Sequence, residues 1–170
     1  MKEGTVRIVV MGVSGSGKSC IGECLAERLG VVYIDGDDYH SPANIAKMAS
    51  GIPLDDDDRR EWLETLAEHI AAYRRRDVSL VLACSALKRR YRDLLRRGDP
   101  ALRFLYLEGR REQLMQRLTE REAHFFRGET MLDSQLRDLE VPGENEAVKL
   151  NIADAPEAIV EAFVASLERR

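Results

Sequence analysis

Apolar residues fall into short continuous blocks along this chain, separated by longer polar segments. Blocks of this kind predict buried β-strands, and they lie at 5–11, 31–34, 78–84 and 104–107, with a weaker one at 148–152. The block at 78–84 is almost entirely apolar, as in a strand of a parallel sheet that is covered on both faces. The pattern therefore predicts five strands in a covered sheet.

Helices are predicted between and after these strands. Apolar positions recur at spacings of three and four residues within 21–29, 62–73, 87–97, 114–118 and 159–167. Gly30 closes the first of these segments, and Pro156 precedes the last. Because strands that alternate with helices form a doubly wound sheet, the sequence predicts an α/β fold. We expect a five-stranded parallel sheet with helices on both faces, as a single domain over 1–170.

Two segments fit this alternation poorly. The segment 41–58 contains Pro42, Gly51, Pro53 and four successive aspartates, and the segment 120–146 is rich in charged residues. Ligands of such sheets bind beyond the carboxyl ends of the strands, where long irregular loops often have functional roles. We therefore expect 41–58 to form a substrate clamp and 120–146 to form a lid.

Composition and charge narrow the range of partners. The 170 residues include few aromatic ones (6%) and have a formal net charge of −4. Proteins that bind the nucleic-acid backbone have basic faces, so we predict no nucleic-acid partner. No apolar run approaches the roughly 20 residues of a membrane span, and 1–10 lacks the features of a secretory signal. We expect a cytoplasmic protein with no membrane partner.

Three cysteines, Cys20, Cys24 and Cys84, are too few for a disulfide framework, and their number is odd. Cys20 and Cys24 lie four residues apart, which places them on one face of a helix and makes a metal pair conceivable. Since no third or fourth ligand lies nearby in the sequence, we interpret both as small buried residues.

The stretch VVMGVSGSGKSC joins the first predicted strand to the first predicted helix. It satisfies the pattern G-x-x-x-x-G-K-S in the context of strand, loop and helix that the pattern requires. Backbone N–H groups of such a loop surround phosphate oxygens, the lysine bridges the β- and γ-phosphates, and the serine hydroxyl ligates Mg²⁺. The loop therefore predicts a bound nucleoside triphosphate, held by Gly12, Ser14, Gly15, Ser16, Gly17, Lys18, Ser19 and Cys20.

An acidic cluster follows the second strand. The stretch YIDGDDYH contains Asp35, Asp37, Asp38 and His40, whereas the third strand ends without the acidic residue of helicases and transporters. No N-K-x-D segment occurs, which disfavours a GTPase switch. Carboxylates beside a γ-phosphate can orient an incoming hydroxyl, accept its proton and support Mg²⁺ through water. We expect Asp37 to accept the proton and Asp35 to support the metal; a solvated turn is the alternative.

Seven short segments follow one another over most of the chain: MGVSGSGKS, IDGDDYHSPANIAKMASGIPLDDDDR, WL, CSALKRRYRDLLR, HFF, SQL and LEVP. Together they resemble the gluconokinases. The resemblance implies ATP-dependent phosphorylation of D-gluconate at its 6-hydroxyl, on a P-loop kinase fold like that of nucleoside monophosphate and shikimate kinases. It also implies a possible homodimer. The chain departs from the family pattern, mainly in the predicted lid, at Cys20, Glu61, Ala123, Leu136 and Asn145.

A gluconate site needs a cation for the carboxylate and short polar side chains for the hydroxyls. The segment SALKRRYRD offers Ser85, Lys88 and Arg92 near the start of a helix, whose N-terminus favours an anion. A merely solvated helix is the alternative. Arg59 is a second candidate for the carboxylate, because its placement resembles that of the substrate arginine of shikimate kinases. His40 is expected either to donate to a gluconate hydroxyl or to form a structural hydrogen bond.

The helix that begins near Arg59 has its own expected features. The four aspartates at 55–58 suit a helix N-terminus, so we interpret them as a capping turn. Trp62 is expected to pack in the core, with lining of the sugar site as the alternative.

The predicted lid contains the stretch REAHFFRGE, with His124 as a substrate contact. Arg117, Arg121 and Arg127 are candidates for closing over the phosphates. Among them, we expect Arg117 to bind the nucleotide and Arg121 to act with Lys18 as a catalytic residue that stabilises the transferring phosphoryl group. A salt-bridged surface helix is the alternative. Two other functions stay open: a kinase for shikimate or a nucleotide, and a regulatory protein that binds ATP without phosphoryl transfer.

Overall fold

The computed structural model describes residues 4–121 and 125–169, and its description of side chains omits 121 and 125–128. The sheet consists of β1 (Arg7–Met11), β2 (Val32–Asp35), β3 (Leu80–Ala83), β4 (Arg103–Glu108) and β5 (Val148–Asn151). The strand order across the sheet is β2-β3-β1-β4-β5, which places β1 at the centre. Every neighbouring pair is parallel, so the predicted five-stranded parallel sheet is confirmed.

Helices follow the strands as the spacing of apolar residues predicts. They are α1 (Lys18–Leu29), α2 (Pro42–Ala49), α3 (Asp56–Arg75), α4 (Arg89–Arg96), α5 (Arg111–Arg121), α6 (Phe125–Asp138) and α7 (Pro156–Glu168). A short 3-10 helix, Gly36–Tyr39, continues directly from β2. Each predicted helical segment overlaps one of these helices, so the alternation of strands and helices is confirmed.

The core lies around the central strands. All five residues of β1 and all four of β3 are buried. Successive side chains of a strand point to opposite faces, so this burial requires cover on both faces of the sheet. Aliphatic side chains from the long helix α3 supply part of the cover, including Leu63, Leu66 and Ile70. None of the described helices is long and apolar enough to cross a membrane.

The expected irregularity of 41–58 and 120–146 is wrong in part, because each segment contains a helix. In α2, the Ser41 Oγ accepts a hydrogen bond from the Asn44 N–H at 3.1 Å, and Pro42 occupies the first turn. Ser at the cap and Pro just after it are strong helix-start signals, which outweigh the breakers later in this segment. The roles of the two segments as clamp and lid stay predictions.

The cysteine interpretation is also corrected. Cys20 and Cys24 are exposed on α1, whereas Cys84 is buried at the end of β3. Within the described ranges, no group of three or more His, Cys, Asp or Glu side chains could hold a metal ion.

Candidate active site

Two pockets open beyond the carboxyl ends of β1, β2 and β3, as expected for a parallel sheet. The first, here called the phosphate pocket, has a volume of about 700 Å³ and a lining that includes Gly15, Gly17, Ser19, Cys20, Asp35 and Arg117. The second, the acceptor pocket, has a volume of about 440 Å³ and a lining that includes His40, Met48, Leu54, Arg59, Trp62, Ser85, Met131 and Gln135. The two pockets share Ser14, Lys18, Asp37 and Leu118.

The loop between β1 and α1 forms one wall of the phosphate pocket. Gly15 and Gly17 have φ values of 85° and 91°, a left-handed conformation that glycine adopts without strain. Gly12 and Ser16 are buried and line neither pocket, and they pack closely, since a Cβ atom on Gly12 would lie 2.6 Å from the Ser16 Oγ. Lys18 begins α1, and its Nζ donates to the Val13 carbonyl at 3.2 Å. The loop thus presents its backbone and a helix N-terminus to the pocket, which suits an anionic ligand.

A hydroxyl and a carboxylate meet beside this loop. The Ser19 Oγ donates to the Asp35 Oδ2 at 3.3 Å, and the Asp35 Oδ1 accepts from the Asp37 N–H at 3.0 Å. The second bond caps the 3-10 helix and fixes the Asp35 side chain at the end of β2. Hydroxyl and carboxylate oxygens are the donors that Mg²⁺ prefers. Ser19 and Asp35 therefore fit the predicted metal site.

Asp37 faces the junction of the two pockets. Its side chain is 69% exposed, and its Oδ1 lies 3.7 Å from the His40 Nε2. His40 is buried and stacks on Trp62 with ring centroids 4.1 Å apart. Burial lowers the pKa of His40 below its ordinary value, although the Asp37 charge opposes this shift. His40 is therefore neutral at neutral pH and can act as a hydrogen-bond donor or acceptor.

Arg59 and Trp62 line the acceptor pocket from the first turns of α3. The Arg59 Nη1 donates to the Tyr91 hydroxyl and to the Asp138 Oδ2, both at 2.9 Å. Trp62 is buried, and its Nε1 donates to the Gly36 carbonyl at 2.7 Å. Trp62 thus packs in the core and also lines the pocket, so the two interpretations of this residue are compatible.

In the basic segment after β3, Ser85 lines the pocket, whereas Lys88 and Arg92 form contacts within the fold. Ser85 lines the acceptor pocket, but the Lys88 Nζ pairs with the Asp56 Oδ1 at 3.0 Å. Arg92 is only 1% exposed; its Nη1 donates to the Ala86 and Leu87 carbonyls, and its Nε donates to Glu146 at 2.8 Å. The predicted substrate role of Arg92 therefore finds no support in its position. A guanidinium with five donors suits the carbonyls of a buried turn, which local sequence does not reveal.

Arg117 extends from α5 toward the phosphate loop. Its Nη1 lies 3.5 Å from the Ser16 carbonyl, and its Nη2 donates to the Ile152 carbonyl at 2.6 Å. This position beside Gly17 agrees with the predicted nucleotide contact. The other lid candidates cannot be placed, because His124 and the side chains of Arg121 and Arg127 lie outside the described residues.

Sequence reasoning missed several residues that line the acceptor pocket, and one, Asp138, that holds a lining residue. Gln135 accepts hydrogen bonds from Ser14, and Asp138 holds Arg59, although both lie more than 75 positions from their partners. Met131 and Leu118 add apolar surface. Gln135 falls within the segment SQL, which is part of the resemblance, but no local pattern indicates its partner.

Comparisons with known proteins agree with this geometry. A family model described as "Shikimate kinase" matches residues 14–168. "Thermoresistant gluconokinase" of Escherichia coli (strain K12) is 42% identical over 95% of this chain and 93% of that protein. "Gluconokinase" of Gluconobacter oxydans (strain 621H) is 40% identical over 92% and 88%.

Solved structures give the same picture. A gluconokinase from Sinorhizobium meliloti 1021 has a TM-score of 0.87 and 45% identity, covering 96% of this chain and 92% of that one. A shikimate kinase from Bacteroides thetaiotaomicron has a TM-score of 0.69 over 96% and 98%, but only 18% identity, so it shares the fold alone. The sequence identity to these gluconokinases is therefore at least 40%, against 18% to this shikimate kinase, although all share one fold. The chain belongs to the gluconokinase family of P-loop kinases.

Proposed function

We propose that this protein transfers the γ-phosphoryl group of ATP to the 6-hydroxyl of D-gluconate, giving 6-phospho-D-gluconate and ADP. Relatives named gluconokinase, about 40% identical over most of the chain, support this substrate. The observation that carries the proposal is the junction of the two pockets. Ser14, Lys18 and Asp37 line both of them, as direct transfer between a nucleotide and an acceptor requires.

The phosphate pocket holds ATP in this proposal. The backbone N–H groups of the loop and the N-terminus of α1 bind the phosphate oxygens. Lys18 moves its ammonium group from the Val13 carbonyl to the β- and γ-phosphates, where its charge is more strongly stabilised. Arg117 braces the loop through the Ser16 carbonyl and faces the nucleotide.

Mg²⁺ is the second proposed cofactor. The Ser19 hydroxyl and the Asp35 carboxylate, whose oxygens lie 3.3 Å apart, would hold it, with Ser19 as the direct ligand and Asp35 in support. When bound, the ion neutralises negative charge on the β- and γ-oxygens.

The acceptor pocket holds gluconate with its 6-hydroxyl toward Asp37. Asp37 accepts the proton of that hydroxyl as its oxygen bonds to the γ-phosphorus and the bond from that phosphorus to the departing ADP oxygen breaks. Arg59 binds the gluconate carboxylate, and His40, which is neutral, contributes a hydrogen bond to a hydroxyl. Ser85 adds a further hydroxyl to the same wall. The closing roles of Arg121, His124 and Arg127 stay predictions.

The test is release of ADP with purified protein, ATP and Mg²⁺, measured with D-gluconate, a panel of related sugar acids, shikimate and no acceptor. We expect rapid ADP release with gluconate and little with the other acceptors. NMR of the product should show phosphorus on the 6-oxygen. Equal ADP release with and without every acceptor, despite measurable ATP binding, would instead indicate a nucleotide-binding regulatory protein.

A further inference from the structure

The helix α6 contacts the phosphate loop through one side chain. The Gln135 Oε1 accepts from the Ser14 backbone N–H at 2.7 Å and from the Ser14 Oγ at 3.1 Å. Both donors belong to the loop that is built to surround phosphate oxygens. A single carboxamide oxygen therefore satisfies two donors of the phosphate-binding loop.

The location of Ser14 identifies which phosphate this oxygen replaces. Ser14 lines both pockets, together with Lys18 and Asp37. In a transfer between the two pockets, the group that occupies this junction is the γ-phosphoryl group. ADP lacks that group, although in the proposed function Lys18 also binds its β-phosphate.

A second contact joins the same helix to the other substrate site. Asp138 follows Gln135 by three residues, which places both on one face of α6. Its Oδ2 accepts from the Arg59 Nη1 at 2.9 Å. In the proposed function, the loop that contains Ser14 binds phosphate oxygens, and Arg59 binds the gluconate carboxylate. Here, both Ser14 and Arg59 instead donate to side-chain oxygens of α6.

We propose that Gln135 is a positioning residue that responds to the γ-phosphoryl group. ATP must displace the Gln135 Oε1 from Ser14, whereas ADP leaves this contact in place. Met131 and Gln135 of α6 form part of the wall of the acceptor pocket, and displacement moves this part of the helix. The shape of the gluconate site therefore depends on whether ATP or ADP is bound. This inference rests on the proposed function for the identity of the acceptor, but its test uses nucleotides alone.

The test compares the dissociation constants of ADP and the non-hydrolysable ATP analogue AMPPNP by calorimetry, with Mg²⁺ present. In Gln135→Glu, a carboxylate competes for Ser14 more strongly than a carboxamide and also repels the γ-phosphoryl group. We expect AMPPNP to bind at least about tenfold more weakly, relative to ADP, than in the unmodified protein. Thr130→Glu adds the same charge at an exposed position of α6 and should leave the ratio unchanged.

A second variant keeps the test decisive if Gln135→Glu folds poorly. In Gln135→Met, the new side chain has a similar length but lacks the carboxamide oxygen that accepts from Ser14. The γ-phosphoryl group then no longer competes with that oxygen for Ser14. We expect AMPPNP to bind a few-fold more tightly relative to ADP, about the effect of one lost hydrogen bond. The proposal is overturned if the ratio stays constant in the folded Gln135 variants, or if Thr130→Glu changes it as much as Gln135→Glu does.

Discussion

At the scale of single residues, the candidate site combines one exposed carboxylate with buried side chains that surround it. Asp37 is largely exposed at the junction of the pockets, whereas His40, Arg59 and Trp62 around it are buried. The stack of His40 on Trp62 and the bond from Trp62 to the Gly36 carbonyl hold this wall in place. These buried side chains can orient an acceptor hydroxyl, and the Asp37 carboxylate remains accessible to that hydroxyl.

Replacing Asp37 tests its proposed role as proton acceptor. We expect Asp37→Asn to lower kcat by about 10² to 10⁴, the usual contribution of a general base, with little change in the dissociation constant of AMPPNP. Asp38→Asn is the matched control, because Asp38 is an exposed neighbour that lines neither pocket. Near-normal turnover in Asp37→Asn would remove Asp37 from this role.

At the scale of elements, the start of α3 positions Arg59 in the acceptor pocket. The Asp55 Oδ1 accepts from the Asp58 N–H at 2.8 Å, and the Asp58 Oδ2 accepts from the Asp55 N–H at 3.0 Å. The Lys47 Nζ of α2 also donates to Asp58, at 2.8 Å. The predicted capping turn is confirmed, and it additionally ties α3 to α2.

Removal of this cap should weaken α3. We expect Asp55→Ala to lower the free energy of unfolding by about 1 kcal/mol, the typical contribution of an N-cap, and to lower Tm by about 2–4 °C. Thermal and denaturant unfolding measure both quantities. In the control Asp57→Ala, a side chain that is 89% exposed is lost, and stability should hardly change. Equal effects of the two substitutions would contradict the capping role.

At the scale of the whole molecule, a cluster of charges joins α4 to the segment before β5. Glu146 accepts from the Arg92 Nε at 2.8 Å and from the Arg96 Nη2 at 2.5 Å, with its side chain only 9% exposed. Arg92 also donates to the Glu140 carbonyl at 2.9 Å, just after α6. Both ends of the segment 140–146 are thus anchored to one buried guanidinium. This places the end of α6, and with it Asp138, at a defined position.

Loss of the Glu146 charge should destabilise the fold. We expect Glu146→Gln to lower the free energy of unfolding at pH 7 by about 3 kcal/mol, because it leaves buried arginine charge unpaired. Glu144→Gln, at an exposed position nearby, is the control and should have little effect.

The Glu146 carboxylate also makes the stability of the fold depend on pH. Burial raises the pKa of Glu146, but hydrogen bonds from Arg92 and Arg96 outweigh this and lower it below the ordinary value of 4.5. A lowered pKa in the folded state means that the stabilisation is complete above the unfolded pKa and is lost as the pH falls through the folded pKa. The stability difference between Glu146→Gln and the unmodified protein should therefore shrink below about pH 4.5, as urea unfolding at several pH values would reveal.

Local patterns in the sequence predicted much of this protein. Continuous apolar blocks and helical spacings are short-range properties, so they predicted all five strands and the helices α1, α3, α4, α5 and α7, but not α2 or α6. The glycines, lysine and serine of the phosphate loop lie within eight residues, and their chemistry does not depend on distant partners. The carboxylates after β2 were found for the same reason.

Long-range pairing decided the rest, because no local pattern records which side chains meet. Arg92 looked like a substrate cation until the fold buried it against Glu146 and backbone carbonyls. The partner of Ser14 is Gln135, 121 positions away, and the partner of Arg59 is Asp138, 79 positions away. Only the packing of α6 across the pockets creates these contacts, and they connect the two substrate sites.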